Sequence, residues 1–141
     1  MTVDVKYTTS ATAKGGRRGS ARTDDGNMEV TMTTPSELGG QGGEGTNPEQ
    51  LFAMGYAACL LGAIKAAAGK DLRISKESTV TAKVGIGPRS EGGFGITAEM
   101  DISLPDIERE KAEEIVRKAH EEICPYSHAT RGNVDVKINI V

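Results

Sequence analysis

The segment from Asn47 to Gly69 constrains the fold more than any other part of the chain. Asn47 is a good helix N-cap and Pro48 is tolerated at the first helical position, so together they predict that a helix begins here. We expect the helix to continue to about Ala68 and to end at Gly69. It is apolar on nearly every face, and Lys65 is the only charge in its body. Such a helix must be surrounded by protein.

The overall composition favours a soluble globular protein with one domain, residues 1–141. Apolar residues make up 37% of the chain and charged residues 26%, and the net charge is −3. No run of lysine and arginine indicates a nucleic-acid or membrane partner. The most apolar stretch, Leu51 to Ile64, is shorter than the about 20 residues that span a bilayer. Met1 to Lys14 contains no signal-peptide core, so we expect a cytoplasmic protein.

Five segments alternate apolar and polar residues, which predicts strands with one buried face. Sheets of this kind are usually antiparallel. The segment from Gly87 to Gly93 lies between two of these strands and predicts a hairpin loop. The five apolar sets are Val3, Val5 and Tyr7; Met28, Val30 and Met32; Val80, Ala82, Val84 and Ile86; Phe94, Ile96, Ala98, Met100 and Ile102; and Val134, Val136, Ile138 and Ile140.

A second helix is predicted after Pro105, with Ile115, Val116, Ala119 and Ile123 as its apolar stripe. Pro125 ends it, because the residue before a proline is disfavoured in the helical region. Cys124 is therefore expected at the helix terminus, within reach of solvent. The order of strands, helix, hairpin, helix and strand indicates an α+β fold. A second copy of the chain would cover the remaining faces of the first helix, so we expect a symmetric homodimer.

The segment from Gly39 to Gly45 has five glycines in seven positions and could be taken for a phosphate-binding loop. It lacks the Gly-Lys-Ser/Thr ending and the preceding buried strand of such loops. We therefore predict a flexible connection.

Cys59 and Cys124 are the only cysteines, and the residues alone allow two roles for them. Free cysteines of cytosolic proteins are most often plain core residues, whereas redox chemistry is the less common use. A metal site with His120 and His128 has little support, because no Cys-x-x-Cys or His-x-x-x-His pair is present. Solvated roles are expected for both histidines.

Two motifs around the cysteines resemble those of organic hydroperoxide resistance (Ohr) proteins, in the Ohr/OsmC family. The first motif runs from Thr46 to Cys59 and the second from Cys124 to Asn133. Gly15-Gly16-Arg17 and the segment from Thr34 to Gly40 also match in order and spacing. The resemblance covers essentially the whole chain, and the second motif favours the Ohr branch. It implies an OsmC-like fold with mainly antiparallel strands, a buried central helix, a second amphipathic helix and an intertwined homodimer.

The resemblance also implies a peroxidase mechanism. The thiolate of Cys59 would attack the O–O bond of an organic hydroperoxide, release an alcohol and become a sulfenic acid. Cys124 would then condense with it to form an intramolecular disulfide. In this family, dihydrolipoyl groups on lipoylated proteins reduce the disulfide, so the lipoyl group is a reductant and partner, and no bound cofactor is expected.

A thiol in apolar surroundings has a raised pKa and is inert, so the site needs a positive charge. By resemblance Arg17 supplies that charge and Glu49 holds its guanidinium, although Arg18 competes for the role of Arg17. Glu49 and Cys59 are ten positions apart, roughly 15 Å along one helix. If both belong to one site, that site must be assembled across a dimer interface or after a sharp bend. We expect two interfacial sites per homodimer.

The wall of the substrate pocket is expected to be apolar, with Phe52, Met54, Leu60 and Tyr126 as its candidates. Such a pocket would favour alkyl, aryl or fatty-acid hydroperoxides over hydrogen peroxide. The alternative function is a non-enzymatic OsmC-like protein that senses redox state or binds an apolar ligand. Turnover discriminates between the two, since a sensor would oxidise once and a peroxidase would cycle.

Overall fold

Two three-stranded sheets contain the strands of this chain in the computed structural model, which describes residues 1–141. Contacts within the chain divide it into two compact units, Met1–Leu51 and Phe52–Val141, and each unit contains one sheet. The mixture of helices and strands confirms the α+β class. The single-domain expectation stays a prediction.

The sheet of the first unit is antiparallel, in the order β1-β2-β3. A 3-10 turn, Gly16–Arg18, connects β1 to β2. Gly19 follows this turn, and a Cβ atom there would lie 1.7 Å from the backbone oxygen of Lys14, so only glycine fits. The strands are Ala11–Lys14 (β1), Ser20–Thr23 (β2) and Glu29–Thr31 (β3).

The predicted strand at the N-terminus is wrong. Val3, Val5 and Tyr7 lie outside the sheet with 71%, 64% and 78% of their surfaces exposed. A segment with alternating residues forms a strand only where a sheet edge pairs with it, and no strand of this chain pairs with these three residues. The next predicted strand is confirmed as β3, after which Met32 forms an isolated bridge with Thr46.

The glycine-rich segment, for which a flexible connection was predicted, makes backbone hydrogen bonds to the residues before it. The amide of Gly40 donates to the oxygen of Pro35 at 3.0 Å, and that of Gly42 donates to Thr34 at 3.0 Å. A Cβ atom on Gly40 would lie 2.0 Å from the same Thr34 oxygen. Glycine at position 40 therefore allows close backbone packing.

The long helix α1, Pro48–Ala68, has the predicted bounds. The side chain of Asn47 accepts a hydrogen bond from the amide of Gln50 at 2.8 Å, as an N-cap does. Gly69 has a φ of 72°, a left-handed conformation that favours glycine after a helix. Within the chain α1 buries only one stripe, formed by Tyr56, Leu60, Ala63 and Ile64.

By length and composition alone, α1 could cross a membrane, because it has 21 residues and high hydropathy. The complete helix is thus longer than the stretch from Leu51 to Ile64, whose length had counted against a membrane span. Core helices of soluble proteins pass the same test, so the finding is weak evidence for a membrane span.

The sheet of the second unit has the order β4-β5-β6. Its strands are Thr79–Pro88 (β4), Phe94–Ser103 (β5) and Val136–Ile140 (β6), which confirms the last three predicted strands except that Val134 precedes β6. β4 and β5 form the predicted antiparallel hairpin. β6 pairs parallel to β5, because the helical segments between them carry the chain back to the same end of the sheet.

Three helical segments connect β5 to β6: α2 (Arg109–Lys118), a π-helical turn (Ala119–Ile123) and α3 (Pro125–Thr130). The first two confirm the predicted helix and its buried stripe. The amide of Cys124 closes the π-turn by donating to the oxygen of Ala119 at 2.8 Å. The short helix α3 was not predicted.

The core of the second unit lies between α1, β5 and α2. Tyr56, Leu60 and Ile64 of α1 are completely buried there. The other buried members are Ala63, Ala98, Met100, Ile102, Leu104, Ala112, Ile115, Val116, Ala119 and Cys124. This packing fixes the face of α1 that carries Tyr56 and Leu60, and Cys59 lies between these two residues in the helix.

Candidate functional site

The two cysteines lie together in the second unit. The Sγ atoms of Cys59 and Cys124 are 3.6 Å apart, and both thiols are free. Cys59 projects from α1, whereas Cys124 stands between the π-turn and α3 in an extended conformation, with φ −68° and ψ 117°. A disulfide has an S–S bond of about 2.05 Å, so a movement of roughly 1.5 Å would join the sulfurs.

The two thiols differ in exposure, in the opposite sense to the prediction. Cys124 is completely buried in the core, and the expectation that solvent reaches it is wrong. The residues after Cys124 do not form the expected polar turn, because helix α3 begins directly at Pro125. Cys59 is only half-buried. An external reagent therefore has access to Cys59 first.

Burial raises the pKa of the Cys59 thiol above its ordinary value. A hydrogen bond from the backbone amide of Tyr126 opposes this rise, whereas the neighbouring thiol of Cys124 adds to it. The surroundings of Cys59 within its own unit thus favour the protonated thiol, whereas a nearby cation would favour the thiolate.

Three aromatic rings pack together in the second unit, those of Phe52 and Tyr56 in α1 and that of Tyr126 in α3. The ring centroids of Phe52, Tyr56 and Tyr126 are 5.7 to 6.2 Å apart. A Cβ atom on Gly55 would lie 2.8 Å from the hydroxyl oxygen of Tyr126, so glycine lets this ring lie directly against the helix. Tyr56 is completely buried, so Phe52 and Tyr126 supply the accessible surface of this cluster.

The predicted pocket wall is only partly assembled within the chain. Phe52 and Tyr126 contact each other, but Leu60 is buried in the core and 54% of the surface of Met54 is exposed. A cleft of 1060 Å³ in the same unit is lined by Phe52, the hairpin loop and the segment after α3. Neither cysteine lines that cleft.

Arg17 and Glu49 form a bidentate ion pair in the first unit. The Nη1 and Nη2 atoms of Arg17 donate to the two carboxylate oxygens of Glu49 at 2.9 and 2.6 Å. Arg17 belongs to the 3-10 turn and Glu49 to the first turn of α1. Arg18 is exposed and forms no ion pair. Of the two arginines, Arg17 is the one whose guanidinium Glu49 orients.

The ion pair stabilises the charged form of both partners. The hydrogen bonds from Arg17 hold the pKa of the Glu49 carboxyl below its ordinary value, against the effect of burial. The same bonds raise the pKa of Arg17. The structure thus brings the four predicted site residues together as two pairs, Arg17 with Glu49 and Cys59 with Cys124, each within one unit.

The comparisons with known proteins agree with this architecture. A family model described as OsmC-like protein matches residues 40–139. The chain belongs to the OsmC-like family. An organic hydroperoxide resistance protein of Xanthomonas axonopodis pv. citri is 50% identical over 137 residues, covering 96% of this chain and 95% of its own.

Solved structures of the OsmC-like family share the fold over nearly the whole chain. The organic hydroperoxide resistance protein of Elizabethkingia anophelis has a TM-score of 0.91 at 42% identity and covers 98% of each chain. OhrB of Bacillus subtilis has a TM-score of 0.86 at 43% identity, covering 96% of this chain and 98% of its own. The OsmC-like fold and the resemblance to the Ohr branch are confirmed, and these relatives support a role in organic hydroperoxide resistance.

One buried network of this OsmC-like chain was not predicted. The hydroxyl of Tyr56 lies 2.8 Å from that of Ser127 and 3.2 Å from that of Thr130. Nδ1 of His120 lies 2.7 Å from the same Ser127 oxygen. The solvated role predicted for His120 is wrong, whereas His128 is exposed as expected. No local pattern reveals such a network, because its members are up to 74 positions apart.

Burial lowers the pKa of His120 below its ordinary value. The positive charges of Arg131 and His128 act in the same direction, and Glu121 opposes them. The neutral ring has one nitrogen donor and one acceptor, so it can pair with the hydroxyl of Ser127.

Proposed function

We propose that the chain is a thiol-dependent peroxidase that reduces organic hydroperoxides to alcohols. The observation that carries the proposal is the 3.6 Å separation between the Sγ atoms of Cys59 and Cys124. The relatives named for organic hydroperoxide resistance supply the substrate class.

The unequal burial of the thiols supports their roles. Cys59 is half-buried, so a peroxide can approach its sulfur. Its thiolate attacks the nearer peroxide oxygen, the O–O bond breaks and an alcohol leaves, with Cys59 as the sulfenic acid. Cys124 is completely buried and meets no peroxide. It attacks the sulfenic sulfur, so that a disulfide forms and water leaves.

Arg17 is proposed as the cation that favours the Cys59 thiolate, with Glu49 as the residue that orients it. The raised pKa of Cys59 within its own unit supports a role for a nearby cation. The bidentate geometry of the Arg17–Glu49 pair fixes the plane of the guanidinium. A carboxylate placed alone beside a thiolate would oppose its ionisation, so Glu49 acts through Arg17.

Titration of the Cys59 thiol in two matched variants tests this role. Arg17→Gln should raise the pKa of Cys59 and slow its reaction with peroxide, whereas Arg18→Gln should change neither. Equal effects of the two substitutions would remove the assignment to Arg17.

We further propose a homodimer, because α1 is apolar on faces that the chain leaves uncovered. Met54, Ala58, Gly62 and Ala66 all point away from its buried stripe. Ala66→Glu is harmless on a helix face in contact with water, since glutamate is a good helix former. In a dimer packed through this face it should produce monomers in sedimentation experiments. A variant that sediments like the unsubstituted protein would exclude this face as the interface.

The reductant is a dihydrolipoyl group carried by a lipoylated protein, no cofactor is bound and the protein acts in the cytoplasm. The adjoining rings of Phe52 and Tyr126, which are accessible where Tyr56 is buried, support a preference for bulky organic hydroperoxides over hydrogen peroxide.

Turnover is the decisive experiment. The reduced protein is mixed with cumene hydroperoxide or with hydrogen peroxide, and dihydrolipoamide with its recycling reductase reports each cycle. We expect fast cycling on the organic peroxide, none with Cys59→Ser, and interrupted cycling with Cys124→Ser. Oxidation that occurs once and does not recycle would favour the alternative, an OsmC-like redox sensor.

A further inference from the structure

A buried hydrogen bond connects the same two segments as the thiols. Tyr56 lies three positions before Cys59 on α1, and Ser127 lies three positions after Cys124 on α3. Residues three positions apart share a helix face. The 2.8 Å contact between the hydroxyls of Tyr56 and Ser127 therefore joins α1 to α3 close to the two cysteines in the sequence.

The π-turn holds α3 at two points. Nδ1 of His120 lies 2.7 Å from the Ser127 hydroxyl, and Nη2 of Arg131 donates to the backbone oxygen of His120 at 2.5 Å. A helix of six residues is not stable by itself, so these contacts determine its position. Cys124 stands between the π-turn and α3, and its sulfur moves with them.

We propose that Tyr56, Ser127 and His120 are positioning residues for the disulfide step. The inference rests on the proposed peroxidase function. In that step the Cys124 thiolate attacks the sulfur of the Cys59 sulfenic acid, the S–S bond forms and the S–O bond breaks. The departing hydroxide combines with the proton released by the Cys124 thiol to give water.

The step depends closely on geometry. The sulfurs must approach from 3.6 Å to about 2.05 Å, and a misplacement of about 1 Å can slow such a reaction by roughly 10²-fold. A sulfenic acid that persists can react with a second peroxide and become a sulfinic acid, which thiols do not reduce back to the free cysteine. The network should therefore control how Cys59 divides between disulfide and over-oxidation.

Two substitutions remove single hydroxyls of the network. Tyr56→Phe keeps the ring that packs against Phe52 and Tyr126, and Ser127→Ala removes the central oxygen. Tyr7→Phe is the matched control, because 78% of the surface of Tyr7 is exposed. Each reduced full-length protein is mixed with cumene hydroperoxide in a single turnover. Alcohol release reports sulfenic acid formation, and quenched samples analysed by mass spectrometry report disulfide and sulfinic acid.

We expect alcohol release to be unchanged and disulfide formation to be on the order of tenfold slower in both variants. Sulfinic acid should accumulate at high peroxide, whereas Tyr7→Phe should match the unsubstituted protein. Ser127→Thr restores a hydroxyl and should recover part of the disulfide rate. If Ser127→Ala loses its fold, Tyr56→Phe still tests the inference, since its ring and packing remain.

The outcomes separate this inference from the proposed function. A role in stability alone would reduce both rates with the folded fraction and would leave their ratio unchanged. Unchanged disulfide rates in both variants, or an unchanged ratio of the two rates, would overturn the positioning role while leaving the peroxidase intact. An unsubstituted protein that releases no alcohol would instead refute the proposed function.

Discussion

Closing the Cys59–Cys124 disulfide should stabilise the folded chain considerably. The cysteines are 65 positions apart, and a cross-link that closes a loop of this length lowers the entropy of the unfolded chain by an amount worth about 4 kcal/mol at 25 °C. The sulfurs already lie within 3.6 Å, so little rearrangement of the fold should offset this gain. For a chain of 141 residues, the expected rise in the unfolding midpoint is on the order of 10 °C.

Urea and thermal unfolding of the reduced and the peroxide-oxidised protein measure this effect. Both forms are compared at the same protein concentration, because assembly also stabilises. Cys124→Ser is the control, since peroxide can oxidise its Cys59 but cannot close the loop. An oxidised protein that unfolds no later than the reduced one would show that closing the disulfide distorts the fold, and would refute the reasoning from the thiol geometry.

Three further predictions concern the first unit and α1. Glu49→Gln should lower peroxidase activity, with Glu44→Gln as an exposed control. Because Arg17 lowers the pKa of Glu49, the stability that this carboxylate contributes is present above the ordinary glutamate pKa and is lost as pH falls through the pKa of Glu49 in the folded protein. The free energies of unfolding of Glu49→Gln and the unsubstituted protein, measured with urea, should therefore differ at neutral pH and converge in acid. Asn47→Ala removes the N-cap bond of α1 and should cost about 1 kcal/mol in urea unfolding, and no change would mean that another group caps the helix. Gly55→Ala should destabilise by about 1–3 kcal/mol, because its Cβ atom would lie 2.8 Å from the Tyr126 hydroxyl, and a neutral or stabilising result would show that the ring moves aside freely.

The sequence predicts best where local signals act alone. Asn47, Pro48 and Gly69 gave α1 its bounds, because caps and prolines act through neighbouring backbone groups. The alternation in β4 and β5 also predicted their hairpin. By contrast, β1 and β2 have four residues each and alanine as their only apolar residue type, so neither Ala11–Lys14 nor Ser20–Thr23 gave a clear strand signal.

The errors of sequence reasoning arise where partners distant in the chain decide the structure. Val3, Val5 and Tyr7 have the pattern of a strand but find no partner within the chain. Cys124 was expected to be accessible because Pro125 ends the helix, yet the chain re-enters a helix at once and the thiol stays in the core. The Arg17–Glu49 pairing agrees with the expectation from the family motifs, since residue types alone would have placed both on the surface.

Because Cys124 is completely buried, only the Cys59 sulfur of the proposed disulfide would be accessible to a reductant. If this burial persists after oxidation, an incoming thiolate can reach only the sulfur of Cys59, and Cys124 is the thiolate that departs. The reductant is then held on Cys59, beside a resolving thiol that can expel it again. A monothiol would be released again by this reverse attack. The second thiol of a dithiol can instead attack the mixed disulfide, which releases Cys59 and closes a disulfide within the reductant. In the proposed cycle, the burial of Cys124 would therefore favour dithiol reductants over monothiols.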